Sequence, residues 1–195
     1  MSDQQYGVQA LPELYKQWSA TGMVANIGTR IVEVAFGKLV LEASMTAESH
    51  GFPNARGTIV HGGAIATLAD EALASVAFTE AEEGQTTVTA DLKIDFLRPA
   101  TPGRLIARAT VRHRTKRLAF CEATVEQAGG DVVAEARAVS PSSERRHVLY
   151  RWQLKQAPRR PAVVRGLDHR PAMRWTKLSI SACCGGVSPW YHAEF

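Results

Sequence analysis

The residues best placed to do chemistry in this 195-residue sequence are His61, Gly62 and Gly63, followed by Asp70. From Ala64 to Phe78 only Thr67, Asp70, Glu71 and Ser75 are polar, and most of the rest are Ala, Leu, Ile or Val. Such a run predicts a helix buried on nearly all sides, with the two glycines at its entrance. The first N–H groups of a helix lack intrahelical partners and carry the positive end of the helix dipole. Glycines there let a carbonyl oxygen or oxyanion come close to the backbone. Asp70 lies two turns further on, where a carboxylate is costly unless it has a partner or a task. A Gly-Gly pair is also an ordinary tight turn, and a lone Asp on an Ala-rich helix also bonds neighbouring backbone. Together, oxyanion donors and a sheltered carboxylate suggest attack on a carbonyl.

The elements that must position these groups are legible on either side. Thr29 to Phe36 alternates apolar and polar residues, and Leu39, Leu41, Ala43 and Met45 repeat the pattern after a Gly37-Lys38 turn, which predicts a β-hairpin. Thr86 to Leu97 alternates again, with Val88, Ala90, Leu92, Ile94 and Phe96 on one face. Arg98-Pro99-Ala100-Thr101-Pro102-Gly103 breaks it. Arg104 to Arg114, Leu118 to Gln127 and Val132 to Val139 read as three further strands, the last two joined by an Ala128-Gly129-Gly130-Asp131 turn. The expected order is a hairpin, a long apolar helix and a four-strand meander, an α+β arrangement in which an antiparallel sheet buries the helix. Leu11 to Ser19 suggests a short extra helix with Pro12 near its start.

These residues resemble the hotdog-fold acyl-CoA thioesterases, in the branch containing the phenylacetate-pathway enzymes and their animal relatives. The matching words are VHGGAIATLADEA, TVTADLKIDFLRPA and TKRLAFCEATV, and the resemblance spans about Ile27 to Val139. It implies a sheet wrapped around a long central helix, and active sites at the interface of a homodimer or of a dimer of such dimers. It implies an acyl-CoA substrate, with CoA present only as part of that substrate and no separate cofactor. Residue by residue, it implies that the Gly62 N–H polarises the thioester carbonyl and that Asp70 activates water or attacks directly, facing the carbonyl from the partner subunit. It gives Thr89 a role in holding the water and His61 a positioning role. An Asn common in the family six residues before the His is Ala55 here, and Asn54 stands one further back. Gly63, Arg98, Lys116 and Arg117 are the expected substrate contacts, the basic ones toward the CoA phosphates, although basic residues in such turns are also ordinary surface charge.

The chemistry fits independently. Thioester hydrolysis builds negative charge on the carbonyl oxygen, which preorganised N–H donors stabilise, and a carboxylate near a water serves as general base. The six His show no metal-ligand spacing, and neither a GxSxG elbow nor a phosphate-binding loop is present. Two alternatives remain: a non-catalytic acyl-CoA-binding module, and an acyl-thioester hydratase or dehydratase on the same fold. The first has no need for Asp70; the second rests on a catalytic His motif not found here.

The net charge of +4 divides unevenly. Residues 1–139 hold 13 Lys and Arg against 16 Asp and Glu, a balance of −3, while residues 140–195 hold 10 against 3, a balance of +7. The acidic core argues against nucleic-acid binding by the fold. Three cysteines make no disulfide framework, and no stretch is apolar enough to span a bilayer, so a cytoplasmic protein is expected. Ser140-Pro141-Ser142-Ser143 reads as a boundary between a domain at 1–139 and a basic tail at 140–195. That tail, with Trp152, Trp175 and Trp190 but no amphipathic period, reads as a disordered extension or a departure from the ancestral reading frame, rather than as an interaction tail.

Overall fold

The computed structural model describes residues 6–55 and 57–144. Two helices come first, α1 (Tyr6–Trp18) and α2 (Gly22–Ile27), then the hairpin β1 (Arg30–Ala35) and β2 (Lys38–Met45). A short helix α3 (Ala47–His50) leads into a second, small hairpin, β3 (Gly51–Asn54) and β4 (Gly57–Val60). The long helix α4 (Gly62–Phe78) follows, then β5 (Gln85–Thr87), β6 (Asp91–Phe96), β7 (Gly103–Arg114), β8 (Leu118–Gln127) and β9 (Val132–Glu144).

The main sheet is antiparallel, in the order β1-β2-β7-β8-β9, with β5 and β6 both pairing with the far side of β9. The expected meander is therefore corrected: β6 does not lie beside β7 but crosses to β9, with Asp91 opposite Val139 and Phe96 opposite Ala134. The single strand expected from Thr86 to Leu97 is two strands, β5 and β6, interrupted at residues 88–90. Val88, in the break, is exposed, and so is Phe96 at the end of β6, while Leu92 and Ile94 of the same strand face pack against the core.

The last strand also runs further than its hydrophobic pattern. Ser140 is fully buried, the Ser142 N–H donates to the Arg117 carbonyl, and Ser142 to Glu144 pair with β5. β9 thus runs five residues past the expected boundary at residue 139. Polar Ser140, Ser142 and Ser143 look like a linker in sequence, yet their backbone completes the ladder. The remainder of the expected tail lies outside the described residues.

α4 fills the inside of the curved sheet. Leu68, Ala69, Ala72, Leu73, Val76 and Ala77 are fully buried, against a sheet core rich in small residues such as Ala107, Ala109, Ala123, Ala134 and Ala136. Small side chains let a sheet close tightly around a helix, and each buried Leu or Val contributes about 1.5–3 kcal/mol. Thr79 ends the helix. Its N–H bonds the Ser75 and Val76 carbonyls, its hydroxyl donates to Val76, and it accepts from the Gly37 N–H at 2.9 Å, tying the first hairpin's turn to the helix C-terminus. α1 begins earlier than expected, at Tyr6, and Pro12 lies in its interior rather than near its start. Gly7 touches the Phe78–Thr79 backbone so closely that no Cβ fits there, which seats α1 across the end of α4.

Candidate functional site

The entrance to α4 is built from fixed backbone. The Val60 N–H donates to the Ala100 carbonyl at 2.7 Å and the His61 N–H to the His50 carbonyl at 2.8 Å. His50 is itself held: its Nδ1 accepts from the Thr46 N–H, and its Nε2 lies 3.0 Å from the Asn26 carbonyl, so the proton belongs on Nε2. His61 is the N-cap of α4, and its Nδ1 accepts the Gly63 N–H at 2.9 Å. The two glycines, alike in sequence, are therefore unlike in chemistry. The Gly63 N–H is taken by the imidazole. The Gly62 N–H, at the first position of the helix, makes no hydrogen bond among the described residues. The Phe96 ring stands 3.2 Å from where a Gly62 Cβ would be, so the approach is narrow and admits glycine most easily.

Asp70 lies on the flank of the same helix, about 12 Å further along its axis. Its Oδ1 is buried with no hydrogen-bond partner, and so is the Thr89 hydroxyl. Both are orphans of the kind that ordered water, a ligand or another chain satisfies. Thr87 donates to the Ala74 carbonyl and Phe96 covers Gly62, so the segment between them, which holds Thr89, runs back along α4. Within one chain, His61 and Gly62 at the helix entrance stand about 12 Å along the axis from Asp70.

Residues 57–134 match the family model of the thioesterase superfamily. Over that segment the chain is similar to that superfamily. The fold is the family's hotdog arrangement, a curled antiparallel sheet around a long helix. Among solved structures, the PaaI protein from the phenylacetic acid degradation operon of E. coli is 26% identical, with a TM-score of 0.61 over 71% of this chain and 94% of that one. A putative thioesterase from Ralstonia eutropha, related to phenylacetic acid degradation, is 26% identical with a TM-score of 0.57, over 70% and 98%. A thioesterase family protein from Silicibacter pomeroyi shares the fold at 23% identity and a TM-score of 0.62, over 71% and 98%. Comparison with curated proteins finds no match.

The basic residues sort by partner. Arg104 pairs with Glu42, Arg112 with Glu122, and Arg114 with Glu80, the Ala77 carbonyl and Ser142, so these side chains brace the fold. Arg98 donates to the Val132 carbonyl at 2.7 Å. Lys116 and Arg117 are exposed at the β7–β8 turn and form no ion pair among the described residues. Arg98 sits at the start of β9 and Arg117 beside Ser142 near its end, about 33 Å apart at the rise of a strand. One chain does not bring them to a single phosphate. Asn54 ends β3 opposite Gly57, exposed at the tip of the small hairpin. Among the described residues no group of three His, Cys, Asp or Glu side chains is placed to hold a metal.

Sequence reasoning passed over Glu71. Both its carboxylate oxygens are buried without a hydrogen-bond partner. Burial raises its pKa above the ordinary glutamate value; the nearby Thr29 hydroxyl, short of a well-formed hydrogen bond, opposes this, and the Asp70 charge adds to it. Two consecutive carboxylates in an apolar helix were the available signal.

Proposed function

We propose that this chain hydrolyses an acyl-CoA thioester to a free acid and CoA, in a site that two subunits share. The superfamily supports thioester hydrolysis as the class of reaction. The observation that carries the rest is the pair of unmet groups on α4: a Gly62 N–H with no hydrogen bond among the described residues and a buried, unpartnered carboxylate oxygen at Asp70. In this reading the Gly62 N–H, at the positive end of the helix dipole, holds the carbonyl oxygen. Asp70 takes a proton from water, with the Thr89 hydroxyl orienting that water, and the water oxygen bonds to the carbonyl carbon. The tetrahedral intermediate then expels the CoA thiolate, which takes up a proton. His61 acts by holding Gly63, and so the first turn, in place. Lys116 and Arg117, with their free charges, are the proposed phosphate contacts, and the reaction requires no group beyond water.

Sharing follows from distance. About 12 Å of helix separates Gly62 from Asp70, too far for both to meet one carbonyl. Two α4 helices packed antiparallel about a two-fold axis bring each Gly62 to the other chain's Asp70. The outer edge of β6 and the exposed Phe52, Val88, Phe96 and Leu97 offer the surface for such a contact. No helix among the described residues is long and apolar enough to cross a membrane, and a CoA-linked substrate fits a cytoplasmic setting.

The test is thiol release from a panel of acyl-CoAs by the full chain and by Asp70→Asn. Hydrolysis lost in the variant supports the reading. Tight acyl-CoA binding without release by the unaltered chain overturns it in favour of a binding module.

A further inference from the structure

Leu92, Ile94 and Phe96 alternate along β6 and so share one face of the strand. The first two pack against the core, and the third reaches the entrance of α4. The Phe96 ring atoms Cζ, Cε1 and Cε2 stand 3.2, 3.4 and 3.7 Å from the place of a Cβ on Gly62, and they are the three atoms nearest to it. Backbone bonds hold both sides of this contact. The Leu97 and Arg98 N–H groups converge on the Val133 carbonyl at 2.9 and 3.3 Å, directly after the ring. On the other side the His61 N–H is tied to the His50 carbonyl, directly before Gly62.

Gly62 is not one of the glycines with a positive φ, so its backbone conformation suits any residue. It begins a helix, where glycine has no advantage over alanine in propensity. Within the described chain, what fills the space of a side chain at residue 62 is the Phe96 ring. That ring presses an apolar surface against the one peptide whose N–H is free to hold a developing oxyanion. Such a hydrogen bond is stronger where water is kept away, and its effect on rate depends on how closely the carbonyl is held.

We infer that Phe96 is a positioning residue of the oxyanion site: its ring narrows and dries the approach to the Gly62 N–H, and it is the reason residue 62 is glycine. The inference rests on the thioesterase reading above and deepens it. It predicts that residues 62 and 96 act as one unit, so that a side chain at 62 does its damage by moving the ring.

The test is a double-mutant cycle on full-length protein, read as thiol release from the member of the acyl-CoA panel hydrolysed fastest. Gly62→Ala keeps the N–H and displaces the ring; Phe96→Leu stays apolar and withdraws the ring's rim. Each should lower kcat by about tenfold, with KM changed by less than about threefold and little change in the melt. The doubly altered chain should fall no more than about twofold below Phe96→Leu, because the new methyl group then has room; independent effects would multiply to about a hundredfold. Phe96→Met replaces Phe96→Leu in the cycle if the latter does not purify. Losses that multiply, or near-normal turnover by either single variant, overturn the inference and leave the thioesterase reading intact. So does a Phe96→Leu defect confined to KM, which makes the ring a substrate contact. A Phe96→Leu defect cured by raising the protein concentration also overturns it and assigns the ring to the subunit contact. No thiol release by the unaltered chain from any acyl-CoA defeats the thioesterase reading, and this inference with it.

Discussion

Replacing Gly62 with proline removes a single N–H, the one to which the reaction assigns the developing oxyanion. The fold should tolerate the change. Gly62 is the first residue of α4, where proline is favoured, and its N–H makes no bond within the described protein. His61 has φ −62° and ψ 135°, the conformation a residue before proline adopts. The one obstacle is the Phe96 ring, 3.2 Å from the new Cβ, and that ring is 53% exposed and free to turn. The expected stability cost is therefore about 1 kcal/mol or less, a few degrees in thermal midpoint. Loss of one oxyanion donor should lower kcat by about 10²–10³-fold, or about 2.7–4 kcal/mol of barrier. Thiol release read against a calorimetric melt separates the two effects. Mixing this variant with Asp70→Asn sharpens the test. With random exchange about half the dimers are mixed, and each mixed dimer has one site with both groups intact, so activity should return to about a quarter of the unaltered level. Near-normal turnover by a folded Gly62→Pro chain would refute the oxyanion role. Verified mixed dimers as inactive as both parents would refute the shared site.

Asp70→Asn should keep the fold and lose about 10²–10⁴-fold in turnover, measured by the same thiol release. Burial raises the Glu71 pKa, so the folded state holds that proton more tightly than the unfolded state. Its contribution to stability is greatest at acid pH and is lost as pH rises from the ordinary glutamate range through the raised value; Glu71→Gln should flatten that fall and raise the midpoint at neutral pH, read from melts across pH. A chain ending at Glu144 should remain folded and active, while one ending at Val139 forfeits the pairing of β9 with β5 and should melt earlier or fail to purify. Burial pushes the Cys121 thiol up to about 12, so peptide mapping after alkylation of the native protein at pH 8 should find Cys121 unmodified.

Much of this was legible because period and burial coincide. The apolar run after Gly63 admits only a buried helix, and the alternations at 29–45, 104–114 and 118–127 each match a strand within a residue or two. The HGG word and Asp70 identify the chemical groups before any geometry is known. What was not legible is what alternation does not encode. Nothing local says that β6 passes over β7 to pair with β9, because pairing is a property of the sheet. Ser140 to Glu144 have linker composition, yet their backbone amides and carbonyls complete the ladder whatever the side chains. The different duties of Gly62 and Gly63 depend on where the His61 ring turns. Glu71 was overlooked for a related reason: one residue from Asp70, it reads as its neighbour's companion until its unpartnered oxygens are seen.

The place of β9 bears on how the chain assembles. It is the last described strand to leave the ribosome, yet it lies between β8 on one side and β5 and β6 on the other. Until it arrives, β5 and β6 have no backbone partner and α4 lacks part of its cover. Closure of this sheet is a late, long-range event, the slow kind, with apolar edges exposed meanwhile. A slow codon cluster or a destabilising substitution within 132–144 should therefore affect the yield of folded protein more than its activity per folded molecule, and the nascent chain stands in most need of a chaperone just before that strand emerges.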